Sequence, residues 1–537
     1  MHNLSKGNHQ AIALSLLFFI SALCFVPYHE MWRDELQAWL LARDSQTVFV
    51  LFKNLKYEYH QGLWYLLLFP LTRIFTYPEA MQYLNVFIAT AAIYLLARYS
   101  PFSLLQKILL AFSYFLFFEY ALIARNYALT VFFIFLICAL FSKRTKYPLF
   151  FASAIFFLCH TSVLGFIFAI CISLTVLLEA QILRRKEREM QERAPQERAP
   201  QERAAKDKAT HGFHWQVTLA SLIVITGIGS AIFQLSPPAD LAVGPWKMYP
   251  SLAGLKAILI VTVGAYFPLP NFELHFWRTL FGLSNEFITI FSILWVAFFV
   301  LLFARFLSTR SAALFLYIST STALILLFYV KHLGELRHHG FLFIALISAL
   351  WIYPDCASSE KPWWGKYFKS FSEKLASRAL LALLIIQFIS SSIAIFIDYR
   401  YVFSSAKETA QFLRSNDLAS AEMIGDVSYT ASAVAAYLNN KQFFYPDAQR
   451  YGTFIKWDNQ RTKEVNLSTL LSDSRRLALQ GHPVVLILNQ SLDGYKIGPD
   501  LNASQIYFKK IFESSPIILW DERFYVYLFL PTITSQK

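Results

Sequence analysis

Charge is scarce in this chain. Of 537 residues only 15% are Asp, Glu, Lys or Arg, whereas 56% are hydrophobic and 17% aromatic. A soluble domain of that size needs a more polar surface, so the composition points to a polytopic membrane protein. Cysteine is scarce too. Cys24, Cys138, Cys159 and Cys171 sit in hydrophobic stretches and Cys356 in a loop. None falls in the polar C-terminal part, which excludes a disulfide framework or a cysteine-based metal site there. The chain also lacks a nucleotide-binding glycine loop, H-E-x-x-H and G-x-S-x-G. No dense acidic set reads as a committed metal site. The formal charge of +13 is no sign of nucleic acid, because the basic residues concentrate in short loops between apolar runs.

What is present is a series of hydrophobic spans. Ala11 to Pro27 follows Lys6, has no small-residue cleavage site, and reads as an anchor and not a signal peptide. Further spans are expected at Glu79–Tyr99, at Leu104–Phe118, and ahead of the basic turn Lys143–Lys146. Two lie within Tyr147–Leu183, with a turn at His160. The rest fall at Trp215–Leu235, 286–307, 311–330, 340–354 and Ala379–Ile397. That is about 11 transmembrane helices over residues 1–397. Arg98 to Lys107, Lys143–Lys146, Arg305 to Arg310 and Asp355–Arg378 are the basic loops, placed inside by the positive-inside rule. Residues 184–213 join them as a charged linker built on the tandem QERAP repeat. The N-terminus is then cytoplasmic. Leu252 to Ala265 is apolar but short and reads as a surface-lying helix. Residues 398–537 read as a small α/β extracytoplasmic domain, with a helix over SSAKETAQFLRS and strands at Met423–Asp426, Pro483–Leu488 and Phe524–Phe529.

The first outer loop, residues 28–78, organises the rest. Trp32, Leu36, Trp39 and Leu40 share one helical face, and Arg33, Gln37 and Asp44 the other. This predicts an amphipathic interfacial helix with its tryptophans at headgroup depth. Gly62 to Phe75 is too short to span and predicts a second interfacial or re-entrant helix.

The loops on that face hold Asp34, Glu35, Glu58, His60, Arg125, Tyr127, His160, Lys247, Arg337, His338 and His339. A lipid-phosphate-linked sugar would use such a set. Its leaving group is an anionic phosphate at the interface, which needs cations, and Arg125, Arg337 and Lys247 are candidates. An acceptor hydroxyl needs a base in hydrogen-bond reach, for which Asp34 is the first candidate, with Glu35 or Glu58 positioning sugar or acceptor. His60, Tyr127, His160 and His338 complete the candidate binding set.

These motifs resemble a family. Trp32 followed by Asp34-Glu35, then Glu58, His60 and LWYLLL (Leu63 to Leu68), look like the first outer loop of GT-C glycosyltransferases. The nearest branch is the protein-mannosyltransferase and aminoarabinose-transferase-like group, with its bacterial dolichyl-phosphate-mannose mannosyltransferase-like relatives. YALIARNYAL (Tyr120 to Leu129) and CHTS (Cys159 to Ser162) are similar to the family's next two outer motifs. The resemblance covers roughly residues 10 to 180. It departs at Gln61-Gly62, where the family often has Pro-Pro, and at Ile123, where it often has glutamate. It implies inverting transfer from a polyprenyl-phosphate sugar to a lipid, glycan or protein acceptor at the outer face of a bacterial-type inner membrane. Asp34 would be catalytic, with Glu58 and His60 at the second acidic position. A divalent metal joins the first-loop acid in some GT-C branches and is not generally required in the nearest one.

Two other classes fit the composition. A transporter or flippase would carry mid-span charges and paired Gly/Pro-broken helices, which this chain lacks. A non-catalytic subunit of an envelope glycopolymer assembly system would keep the fold without the activity.

Overall fold

The computed structural model describes residues 2–193, 200–242, 251–270, 286–358, 366–439, 442–461, 465–493 and 506–531. Ten helices among them are long and apolar enough to cross a membrane: Gly7–Tyr28, Glu79–Tyr99, Leu104–Leu122, Asn126–Lys143, Val163–Met190, Trp215–Leu235, Phe287–Leu307, Ser311–Val330, Leu336–Asp355 and Glu373–Arg400. The eleventh expected span, Pro148–Cys159, has only 12 residues. At 1.5 Å per residue it rises about 18 Å, short of the ~30 Å of bilayer hydrocarbon. It still returns the chain to where the preceding helix began, since Asn126 Nδ2 donates to Thr161 O at 3.0 Å.

The loops segregate to two ends of the bundle. At one, Arg144 lies 3.8 Å from Glu179, which accepts the Ala357 N–H at 2.7 Å, and Arg310 donates to Cys356 O. At the other, Asp34 meets Arg125 and Arg337. Basic loops 143–147 and 305–310 thus share an end, as their charge predicts.

Two further expectations about the apolar helices need correcting. The span beginning at Leu104 was expected to stop near Phe118 and deliver Glu119–Tyr127 as a loop. Instead an α-helix, Leu104–Ala111, gives way to a π-helical segment, Tyr114–Leu122, buried along its whole length. Asn85 explains the winding: its amide nitrogen donates to the carbonyls of Tyr120, Ala121 and Ile123 at 3.0, 3.0 and 3.2 Å. Only Ile123–Arg125 remains open chain. The second correction concerns Leu252–Tyr266, which does not lie on a surface. Leu252 is exposed at the end that packs near Tyr329, whereas Tyr266 is buried and its hydroxyl meets that of Tyr317 at 2.8 Å. The helix therefore dives along Ser311–Val330 by about 18 Å, the rise of twelve residues.

The first loop folds as three short helices, Arg33–Asp44, Val48–Leu55 and Leu63–Ile74. The amphipathic pattern is right, but the tryptophans pack against protein and present no face to lipid headgroups. Trp32 and Trp39 are 3% and 0% exposed, packed inside protein. The apolar face of Arg33–Asp44 lies on Leu63–Ile74, and its other side carries the C-terminal part of the chain.

That C-terminal part holds a six-stranded sheet. Its strands are β1 (Glu422–Gly425), β2 (Phe443–Tyr445), β3 (Arg450–Gly452), β4 (Val484–Leu488), β5 (Ile506–Glu513) and β6 (Tyr525–Pro531). Their order is β3-β2-β1-β4-β6-β5. β1 is parallel to both β2 and β4, and the outer pairs are antiparallel. The helix predicted over SSAKETAQFLRS forms as Ala406–Ser415, and the three predicted strands are β1, β4 and β6. A core strand such as β4 is buried at all five positions, which is why an unbroken apolar run marks it.

Candidate active site

Where the first loop meets the sheet there is a cavity of about 380 Å³. Asp34, Gln37, Glu58, His60, Tyr65 and Arg125 line one side, and Tyr429, Ile455 and Trp457 the other. Asp34 sits in the first turn of its helix, where a carboxylate suits the positive end of the backbone dipoles. Glu58 and His60 flank Tyr59, whose φ of +54° is the left-handed turn that joins two of the short helices. Arg125 is the last residue of the open chain before helix Asn126–Leu140.

Asp34 is the electrostatic centre. Its Oδ2 takes the guanidinium of Arg125 and, at 3.3 Å, that of Arg337. Burial opposes its ionisation, but Arg125, Arg337 and Arg33 outweigh that and lower its pKa to about 2. Its side chain remains 30% exposed. Glu58 is the opposite case. Burial raises its pKa to about 7, with Asp34 adding to that, although Gln37 Nε2 donates to it at 2.7 Å. His60 is lowered to about 4 by burial and Arg125, so it is neutral at neutral pH. One cavity therefore holds a permanent anion, a carboxyl poised near neutrality, a neutral imidazole and guanidinium groups.

Other expected site residues stand behind this surface. Glu35 is fully buried and does not line the cavity. Its Oε1 accepts the Ala124 N–H at 2.6 Å and its Oε2 meets His29 Nε2 at 3.1 Å. His29 in turn bonds Asp398 through Nδ1 at 2.9 Å. Burial works against the charge on His29, but Asp398 and Glu35 raise its pKa to about 10. Tyr127 is buried with its ring centroid 5.4 Å from the Arg125 guanidinium carbon. His338 accepts the Glu335 N–H at 2.9 Å and caps its own helix. His339 is buried between Thr262 and the Leu333 carbonyl, at 3.2 and 3.0 Å. Each of these packs or aims a neighbour and leaves the cavity surface to others.

His160 is separated from the set. It lines a second, mostly apolar cavity of about 610 Å³ with Phe52, Lys56, Gly62, Phe157 and Phe233, and bonds Ser230 Oγ at 3.0 Å. The turn that carries it reaches the right end of the bundle, but the 58–64 segment lies between the two cavities. Lys247 lies outside the described residues. Among the described residues there is no group of three or more His, Cys, Asp or Glu side chains placed to hold a metal.

Sequence reasoning missed the far wall. In the sequence Gln37 is only part of a polar helical face, yet it donates to Ile455 O at 2.7 Å and accepts the Ile455 N–H at 3.0 Å. Tyr429 and Trp457 carry no local signal, since only the fold brings them over residues four hundred positions earlier. A scan against family models and a search of curated proteins return no match to this chain.

Proposed function

We propose that the protein is an integral membrane glycosyltransferase that moves a sugar, with inversion, from a polyprenyl-phosphate donor to a hydroxyl acceptor. The observation that carries this reading is the convergence of Arg125 and Arg337 on Asp34, beside a cavity that Asp34, Arg125 and Glu58 line at one end of a bundle of membrane-length helices. A phosphate anchored at the interface would compete with Asp34 for the two guanidinium groups. As the bond from the sugar's C1 to the phosphate oxygen breaks, its electron pair passes to the phosphate, where the same cations stabilise it. The acceptor oxygen bonds to the opposite face of C1 and gives up its proton. Its recipient in this reading is Glu58, whose pKa near 7 matches a general base. Asp34 keeps the arginines aligned in the empty site.

One observation favours a second assignment. Both arginines hold the same Asp34 oxygen, and Oδ1 has no hydrogen bond among the described residues. In that assignment donor phosphate draws the arginines off, Asp34 regains basicity, and the proton goes to it, as the resemblance implies. In this reading the site faces the extracytoplasmic side of a bacterial-type membrane, which the basic loops at the opposite end of the bundle support.

The test is turnover of a panel of radiolabelled polyprenyl-phosphate sugars by full-length protein in proteoliposomes, beside Asp34→Asn and Glu58→Gln. Turnover by wild type and its loss in both variants supports the reading. No turnover with any donor overturns it in favour of a transporter or a non-catalytic subunit.

A further inference from the structure

The C-terminal sheet has the topology of a ligand-binding domain, and its binding edge faces the cavity. Three strands, β2, β1 and β4, run parallel. From β1 the chain goes first to β2 on one side and later to β4 on the other, so the strand order reverses at β1. In open α/β sheets ligands bind at such a switch point, beyond the carboxyl ends of the strands. Helix Ser428–Tyr437 follows the carboxyl end of β1, and Tyr429 is its second residue. Tyr429 lines the cavity that Asp34 and Arg125 line, and so does Trp457.

The two rings lie nearly parallel to one another, and both reach the cavity. Their centroids are 6.2 Å apart and their planes differ by 29°. Each is fixed by an arginine: Arg33 Cζ lies 5.3 Å from the Tyr429 centroid and Arg461 Cζ 4.9 Å from that of Trp457. Those arginines are themselves held. Arg33 pairs with Asp521 at 2.7 Å and Glu522 at 3.2 Å, and Arg461 with Asp447. Tyr429 still keeps 38% of its surface exposed. The cavity is therefore ionic around Asp34, Glu58 and Arg125, and its C-terminal wall adds Tyr429 and Trp457 to the Trp64 and Tyr65 rings of the first loop.

We infer that the C-terminal sheet supplies the sugar-reading half of the site, and that Tyr429 and Trp457 form the platform on which the pyranose or furanose ring of the donor stacks. This rests on the reading given under Proposed function. A sugar joined to a phosphate at Arg125 and Arg337 must lie within one bond of that phosphate. The cavity volume is at the small end of small-molecule sites and suits one ring with its phosphate. The C–H bonds on a sugar face carry slight positive charge, which the negative face of an aromatic ring attracts. A bare polyprenyl phosphate has nothing to place there.

The experiment compares two ligands on the full chain in lipid nanodiscs: polyprenyl phosphate, and the same lipid carrying mannose or glucose. Wild type should bind a glycosylated lipid more tightly than the bare one. Trp457→Ala and Tyr429→Ala should each cut that advantage about tenfold and leave the bare lipid's affinity unchanged. Trp457→Phe and Tyr429→Phe should keep most of it. An equal fall for both ligands would show a structural role and overturn the inference, as would an undiminished advantage in both alanine variants. In those cases wild-type turnover still supports the transferase. Wild type that neither binds nor turns over glycosylated lipids overturns the transferase reading and the platform with it.

Discussion

Glu35 Oε1 accepts the backbone N–H of Ala124 at 2.6 Å, a contact between residues 89 positions apart. It ties the helix that carries Asp34 to the strand of open chain that carries Arg125. The adjacent acids of the first loop thus divide the work: Asp34 meets the cavity, and Glu35 sets where its partner stands. Glu35→Ala would leave the Ala124 N–H without its acceptor and His29 with one carboxylate fewer. The expected cost is about 3–5 kcal/mol, as for other broken buried ion pairs. Thermal unfolding of the full chain in detergent measures it. Glu35→Gln keeps an acceptor for Ala124 and should cost less; equal midpoints for wild type and Glu35→Ala would refute the role.

His29 should make stability depend on alkaline pH. Its pKa is raised to about 10 in the fold by Asp398 and Glu35, against the pull of burial. The stability it contributes is then complete below its ordinary value of about 6.5 and is lost as pH rises through about 10. Unfolding midpoints taken from pH 6 to 10.5 should fall for wild type. A His29→Gln variant should start lower and fall less.

Asp34 has the reverse sign. Its folded pKa of about 2 lies below the ordinary aspartate value, so its contribution is present above pH about 4 and fades as pH falls through about 2. In turnover, Asp34→Asn should lose about a hundredfold or more in either role, as the anion that aligns the arginines or as the base. A variant that folds equally well and turns over donor at the wild-type rate would remove Asp34 from the chemistry.

The pH profile separates the two carboxylates as bases. With Glu58 as proton acceptor, turnover rises with pH through about 7, and Glu58→Gln abolishes that limb. A rate level from pH 5 to 9 in wild type points to Asp34 instead.

Gly340 makes a packing test away from the chemistry. A Cβ there would meet the Phe115 ring and come within 2.5 Å of the Tyr120 hydroxyl, which donates to Arg337 O at 2.8 Å. Gly340→Ala should destabilise by roughly 1–3 kcal/mol through overpacking and should weaken turnover by displacing Arg337. Unchanged unfolding and turnover would show that the helices can separate at no cost.

The spans were legible because a membrane demands long apolar runs, and Lys–Arg loops mark one end of each. The failures came where that demand is relaxed. Pro148–Cys159 and Leu252–Tyr266 are apolar yet short, and composition cannot say whether such a helix crosses, dips or lies flat. The π-helical winding of Tyr114–Leu122 depends on Asn85, thirty-odd positions back, and leaves no periodic signature of its own. In the site, Asp34, Glu58, His60 and Arg125 were legible as polar residues in apolar surroundings. Glu35 and His338 carry the same signal, and only the fold shows that one braces Ala124 and the other caps a helix.

The helix Pro148–Cys159 has a consequence for how a short segment is housed. Its 12 residues end at the polar turn His160–Ser162, of which Thr161 and Ser162 are buried in protein. Asn126 donates to the Thr161 carbonyl, and Ser162 shares a hydrogen bond with Thr130. The membrane-length helix Trp215–Leu235 packs alongside. A segment too short to span is thereby sheltered by its neighbours, because protein and not lipid satisfies the polar groups at its end.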